Sequence, residues 1–366
     1  MPSRGHRKGT GEPPKKRTRQ SKTGAGPTIV DVAKAAGVST ATVSRVLSNP
    51  GTVLDSTLKH VQSVIAKLDY SPNAAAKSLR TLQSSKLLVI VPDIAEPFFA
   101  LVLQGIEQAA TREGYAVLVG DTQNELDRDQ HYATMLPRRE VDGLIVLSQK
   151  IPTVIMPWMK SHRTLPPVVT GFISGKEFGV SSASIDNVAV AREALEHLYG
   201  LGHTHIGVIA GPAELPQVQD RIRGIKACAS ARRLTDSLSI EHGKFAIEAG
   251  ITCGAKLLAQ SPRPTAIMCL SDAVAVGALE VARRVGLAVP RDLSVIGCDD
   301  IPMAAHLAPA LTTIALPMRE VGREAVRLVV GTLRGHITKP VHTLLPFDLM
   351  NRHSTAAPLV LEAGKS

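Results

Sequence analysis

The chain has 366 residues, 44% hydrophobic and 3% aromatic, with a net charge of +10. That length can bury a large core and predicts two or three domains; no apolar run reaches the roughly 18 residues that would span a membrane. The charge is unevenly placed, since residues 1–80 hold 14 Lys/Arg against 4 Asp/Glu and the remainder hold 28 against 28. A basic end on a neutral body predicts a polyanion partner for the first part and another task for the second.

Residues 1–27 are rich in Gly, Pro, Ser, Lys and Arg and nearly free of apolar side chains, the composition of a disordered basic tail. PKKRTRQSK has no apolar stretch behind it, so a secretory signal is not expected. Cys228, Cys253, Cys269 and Cys298 show no CxxC pair or zinc-like spacing, and buried reduced thiols in a cytosolic protein are expected.

Residues 28–49, TIVDVAKAAGVSTATVSRVLSN, read as a helix–turn–helix. Thr28 is an N-cap type, and Ile29, Val32, Ala33 and Ala36 share one helical face. Gly37 can turn the chain in the left-handed conformation. Ser39 or Thr40 can cap the next helix, which returns Val43, Val46 and Leu47 to the same small core. Thr40, Ala41, Thr42, Ser44 and Arg45 are left outside, and short hydroxyls beside an Arg suit a DNA major groove. The alternative is a surface helical hairpin in some other domain. Leu58, Val61, Ile65 and Leu68 then give a third helix that closes the core. PNAAAKSLRT, 72–81, starts like a short helix, too short to be stable alone, or else is a linker.

From Lys86 apolar strands alternate with amphipathic helices. LLVIV (87–91), AVLVG (116–120), GLIVL (143–147) and PVVTGF (167–172) form one series of buried parallel strands. HIGVIAG (205–211), PTAIMCL (264–270) and LSVIGC (293–298) form a second, with helices such as 98–113, 187–200, 272–285 and 318–334 between. This is a doubly wound α/β sheet occurring twice, the two-lobed architecture of periplasmic sugar-binding proteins.

DVAKAAGVSTATVSRVL followed by Tyr70-Ser71-Pro72-Asn73 resembles the DNA-binding end of the lactose/galactose-repressor (LacI/GalR) family. Further similar motifs run in order to about Ser354: VPDIAEPFFALVLQGIE, VDGLIVL, SIDN, GHTHIGVIAGP, LSDAVAVGAL, VPRDLSVIGCDDI and PALTTIALP. The resemblance implies a helix–turn–helix headpiece (28–71), a hinge helix and linker (72–85), and a two-lobed effector-binding and dimerisation core (86–354). Lobe 1 would take about 86–184 plus 315–344 and lobe 2 about 185–314 plus 345–354, with 355–366 as a flexible tail. It further implies a homodimer on a palindromic operator, admits a second DNA-bound regulator alongside, and predicts no membrane contact.

By the same resemblance Thr40, Ala41 and Arg45 would read base edges, and Ser39, Thr42 and Ser44 would meet phosphates. Tyr70 and Asn73 belong to the same interface. Leu79 matches the leucine that wedges into the minor groove, and Ala76 the small residue that permits close approach. Leu54 stands where relatives usually have a Ser cap, which Asp55 or Ser56 could replace, and Leu58 where they have Arg. Arg221 and Asp299 match the pair that hydrogen-bonds the effector, Ser271 a third contact, and Phe98 and Phe99 aromatic positions lining the cleft. Phe172, where many relatives are acidic or amide, is the sixth candidate. Aromatic faces with an Arg and a carboxylate suit a sugar or nucleoside. Core packing would equally occupy the Phe pair, and an interlobe ion pair would occupy Arg221 and Asp299. Asp186 and Asp272 are read as helix N-caps.

Catalysis has little support. There is no P-loop, GxSxG or GxGxxG, and no cofactor is expected. Asp299 and Asp300 are adjacent and would point apart on a strand end. His203 and His205 have a metal-like HxH spacing but fit a structural turn. The alternative function is a cytoplasmic sugar- or nucleoside-handling enzyme on the same two-lobed sheet.

Overall fold

The computed structural model describes residues 26–71 and 83–359. The tail up to residue 25, the hinge segment with Asn73, Ala76 and Leu79, and residues 360–366 lie outside the described residues. The chain divides into two units, residues 1–80 and 81–366.

The first unit is a three-helix headpiece: α1 (Ile29–Ala35), α2 (Thr40–Ser48) and α3 (Asp55–Lys67). Thr28 starts α1 through a capping box, its amide donating to Asp31 Oδ2 at 2.9 Å while the Asp31 amide donates back to Thr28 Oγ1 at 3.4 Å. Gly37, at φ +63°, makes the left-handed turn out of α1. Ser39 rather than Thr40 caps α2, accepting from the Thr42 amide at 3.1 Å. Val32, Ala33, Ala36, Val43, Val46, Val61 and Val64 close the core. Two expectations fail here. Leu47 is 38% exposed, because the turn after Gly37 aims Val43 and Val46 inward instead. Leu54 itself is the N-cap of α3 with no side-chain bond, since Asp55 already lies inside the helix.

The second unit holds two six-stranded sheets. Sheet one contains β1 (Lys86–Val91), β2 (Ala116–Asp121), β3 (Gly143–Val146), β4 (Val168–Gly171), β5 (Ser181–Ile185) and β11 (His342–Leu345). Its order is β11-β5-β4-β3-β1-β2, all parallel. Sheet two contains β6 (Ile206–Ala210), β7 (Leu238–His242), β8 (Ala266–Cys269), β9 (Ser294–Asp299), β10 (Thr312–Ala315) and β12 (Asp348–Met350), in the order β12-β10-β9-β8-β6-β7. Only β12 runs antiparallel to its neighbour. The chain therefore changes sheets three times, after β5, after β10 and after β11.

Helices cover both faces: α4 (Pro97–Arg112), α5 (Leu126–Ala133), α6 (Met156–Ser161) and α11 (Met318–Leu333) around sheet one, and α7 (Asn187–Gly200), α8 (Pro216–Ala231), α9 (Ile247–Leu258) and α10 (Asp272–Arg284) around sheet two. One apolar cluster includes residues of α4 and α11 with sheet one and of α7 and α8 with sheet two. Separate clusters fill the outer faces.

β5, β7, β10, β11 and β12 have no counterpart in the strand reading, and β4 ends at Gly171, one residue before Phe172. β5 is SSASI, with no apolar run, yet every residue is buried because β4 and β11 flank it. The C-terminal segment also corrects its reading as a flexible tail from residue 355. The Ala356 carbonyl accepts from Ser294 Oγ at 3.0 Å, and the Ala356 amide donates to that same oxygen at 3.0 Å. His203 Nε2 also lies 2.9 Å from the Ala356 carbonyl, and its Nδ1 lies 2.9 Å from Thr265 Oγ1, so both ring nitrogens are engaged structurally.

α4 and α11 approach through glycines: a Cβ on Gly105 would strike the Arg319 carbonyl, and one on Gly322 the Val102 carbonyl. Neither neighbour is a flexible side-chain end, so a methyl forces the helices apart. Gly322→Ala should lower the stability of the core by about 1–3 kcal/mol, read from the urea midpoint of unfolding. An unchanged midpoint would mean that the helices separate without cost.

Candidate functional site

Two surfaces have the makings of a site. On the headpiece, Ser39, Thr40, Ala41 and Arg45 are exposed, and Thr42 and Ser44 are partly so. Ala41, Ser44 and Arg45 fall three and four residues apart and share one face of α2. The Arg45 guanidinium makes no hydrogen bond to any described residue, so it is unspent. Ser39 is partly committed, its hydroxyl lying 3.0 Å from Thr42 Oγ1 as well as capping the helix. Tyr70 packs against the headpiece core.

The second surface is the cleft between the sheets of the second unit. β1 lies between β3 and β2, and β6 between β8 and β7, so each sheet reverses its winding there and opens a crevice beyond its strand ends. The cavity is lined from β1 and α4 by Pro92, Glu96, Phe98 and Phe99, and from sheet two by Arg221, Phe245, Ser271 and Asp299. Asn124, Gln149 and Gln217 add amides. A wider outer mouth shares Glu96, Asn124, Gln149 and Phe245 and adds Asp93, Asp129, Lys150 and Lys244.

Arg221 is only 6% exposed, and its fork is held by two acceptors: Nε donates to Asn187 Oδ1 at 2.9 Å and NH1 to the Leu270 carbonyl at 2.7 Å. Those bonds aim the guanidinium without consuming it in the ion pair with Asp299 that was the alternative reading, and both residues belong to the second lobe. Asp299 is 6% exposed at φ +125°, a backbone held by the surrounding strands. Burial first, then the neighbouring Asp272, push its carboxyl well above the ordinary range; Arg221 pulls the other way and Glu96 adds to the rise.

Asp272 is not the helix cap it was expected to be. Ser271 caps α10, accepting from the Val274 amide at 3.3 Å. Asp272 is wholly buried, accepting from Thr313 Oγ1 at 2.6 Å and the Ile301 amide at 2.9 Å, and burial raises its carboxyl to about 6. It ties α10 to β10 and to the turn after β9, which carries Asp299. Asp186 does cap α7, accepting from the Ala189 amide at 2.9 Å. Asp300 faces elsewhere, paired to Arg352 at 2.6 Å.

Phe98 packs edge-on against Phe99 at 5.0 Å and tilted against Phe172 at 4.8 Å. Phe98 and Phe99 line the cavity, and Phe172, at φ +69°, packs its ring against Phe98. The reading also missed Glu96, Phe245, Asn124, Gln149 and Gln217. Glu96 was visible inside PDIAEPFF before the helix-starting Pro97, whereas the others sit in loops or helix starts whose convergence no periodicity reports.

A headpiece with an exposed recognition helix, joined to a two-sheet core with a charged cleft, defines a DNA-binding transcriptional regulator with an effector-binding domain. Residues 28–73 match the model of bacterial regulatory proteins of the lacI family, and residues 195–355 that of the periplasmic binding protein-like domain. The chain is 38% identical to the HTH-type transcriptional repressor CytR of Escherichia coli (strain K12), over 90% of this chain and 96% of that one. It is 34% identical to the repressor PurR of Aliivibrio fischeri (strain MJ11), over 84% and 92%. Among solved structures, the lac repressor dimer bound to operator and the anti-inducer ONPF superposes with a TM-score of 0.81 at 26% identity, covering 91% of this chain and all of that one. The regulator CelR in complex with cellobiose gives 0.66 at 30%, covering 90% and 99%. The chain belongs to the lacI family of bacterial regulatory proteins. The enzyme alternative finds no support among these relatives.

Burial and the nearby Asp93 raise the Glu96 carboxyl to about 7. A raised folded value means that the stability tied to its neutral form is complete below about pH 4, the unfolded range, and is lost as pH rises through about 7. Glu96→Gln should flatten that part of the dependence, measured as urea midpoints between pH 4.5 and 8. A variant whose midpoints fall as steeply as those of the parent would remove Glu96 from this account.

Proposed function

We propose that the protein is a repressor that binds a palindromic operator as a homodimer in the bacterial cytoplasm and releases or tightens its grip when a small molecule enters the cleft. Support for the DNA half comes from the exposed, unpaired Arg45 beside Thr40 and Ala41, with the net positive charge confined to residues 1–80. Arg45, Thr40 and Ala41 read base edges in this proposal, while Ser39, Thr42 and Ser44 position the helix on phosphates. Tyr70, Asn73, Ala76 and Leu79 extend the contact, Leu79 wedging into the minor groove. A second DNA-bound regulator alongside remains part of the proposal.

The cleft half rests on one observation: Arg221 and Asp299, both 6% exposed, line a cavity that also carries Phe98 and Phe99. Buried polar and ionisable groups without a mutual pair are costly unless a ligand completes them. A sugar or nucleoside has hydroxyls for Arg221, Asp299 and Ser271 and a carbon face for the rings. Its occupancy biases the relative populations of lobe arrangements, and so DNA affinity.

Arg45→Ala should weaken specific operator binding by roughly 10- to 100-fold and leave salt-dependent non-specific binding nearly intact in titrations at two salt concentrations. Equal loss of both would mean that Arg45 contacts phosphate only. Asp299→Ala should keep operator binding but abolish its response to the effector, found by thermal-shift screening of sugars and nucleosides. An effector response retained by that variant would exclude Asp299 from the site.

A further inference from the structure

Away from the cleft, a second hollow of about 350 Å³ opens between α4 and α11. Its floor is apolar, formed by Val326, Val330 and Ile337, and its rim is cationic: Arg112, Arg323, Arg327 and Arg334, with Glu113 the one carboxylate in the lining. Arg334 pairs with Glu113 at 2.6 Å, Arg327 with Glu324 at 2.7 Å and Arg323 with Glu320 at 2.7 Å. Arg323 NH2 also donates to Gln108 Oε1 at 3.4 Å and its Nε is buried without a hydrogen-bond partner, while Arg112 bonds to no described residue and is free to meet a ligand.

Helix-end electrostatics explains part of this. Arg112 lies in the last turn of α4 and Arg334 caps α11, where cations offset the helix dipole. It does not explain Arg323, in the middle of α11, or why four guanidinium groups converge on one hollow with an oily floor. The Arg323–Glu320 and Arg334–Glu113 pairs are exposed and such pairs are worth at most about 1 kcal/mol, and an arginine fork exchanges a carboxylate for a phosphate readily, since the same planar geometry fits both.

We infer that this groove is a second ligand site, taking an organic phosphate whose phosphoryl group lies among Arg112, Arg323 and Arg334 and whose carbon skeleton covers the Val326–Val330–Ile337 floor. The site is independent of the cleft, since α4 begins at the cleft with Phe98 and Phe99 and reaches the groove only at its other end. There it adjoins the point where the chain enters sheet one: Arg334 NH2 donates to the Glu113 carbonyl at 3.3 Å, and the Ala116 amide donates to the Ser85 carbonyl at 3.0 Å. A phosphorylated metabolite bound here braces the first turn of lobe 1 that follows the linker.

The test uses the full chain, with inorganic phosphate, glucose 6-phosphate and AMP as probes and sodium sulfate at matched ionic strength as control, followed by calorimetry and thermal shift. Glucose 6-phosphate or AMP should bind, and Arg112→Gln with Arg323→Gln should weaken that binding at least tenfold, while Asp299→Ala leaves it unchanged. The single Arg112→Gln, at an exposed position, should weaken it in the same direction if the double variant fails to fold. Absence of binding, equal binding by sulfate, or binding undiminished in the arginine variants would overturn the proposal. Loss of binding in Asp299→Ala alone would place the phosphate in the cleft and overturn it as well, while leaving the effector reading intact.

Discussion

Two buried ionisable side chains, Arg221 and Asp299, that do not pair with each other set the terms for the core. Arg221 is held by an amide and a backbone carbonyl, and Asp299, at φ +125°, by the pairing of β9 with β10. Each would be costly in an apolar interior, and the cost is tolerated because the rest of the lobe fixes their positions. Asp272 is part of that support. Its two oxygens join α10, β10 and the turn after Asp299, and a Cβ on Gly297 would strike its carboxylate. A cleft built this way is preorganised on one wall, and a ligand need only meet it.

The other wall is softer. Glu96, Phe98 and Phe99 stand at the start of α4, where Phe172 packs against Phe98. Both walls end at strand C-termini where the winding reverses, so the cleft follows from topology before any side chain is chosen. The three changes of sheet tie the lobes together with short connections, and the apolar cluster with residues from α4, α7, α8 and α11 continues from one lobe into the other. Such a pair of lobes can shift as bodies while keeping their cores, which is the form of response an effector in the cleft can bias.

The headpiece obeys a different economy. Its core is seven small or β-branched residues, Val and Ala throughout, and its helix starts are secured by Thr28 and Ser39. A unit this small keeps its polar face with Arg45 free because so few side chains are needed inside. Leu47 and Leu54 remain outside for the same reason. Among the described residues, Arg45 stands on a face of α2 that contributes nothing to the headpiece core.

The sequence alone determined the fold class, the helix–turn–helix and the family, because these rest on local signals: capping residues, helical spacing, apolar strand runs and ordered motifs. It also pointed to Arg221, Asp299, Ser271, Phe98 and Phe99 through those motifs. Only the tertiary structure decided what those groups touch. It moved Asp272 from cap to buried tie, and Ala356 from free tail to partner of His203 and Ser294. It revealed strands such as SSASI, whose burial comes from flanking strands instead of from their own hydrophobicity. Glu96, Phe245 and Gln217 meet in one cavity from segments far apart in the chain, and convergence over such distances leaves no periodic trace for a sequence to carry.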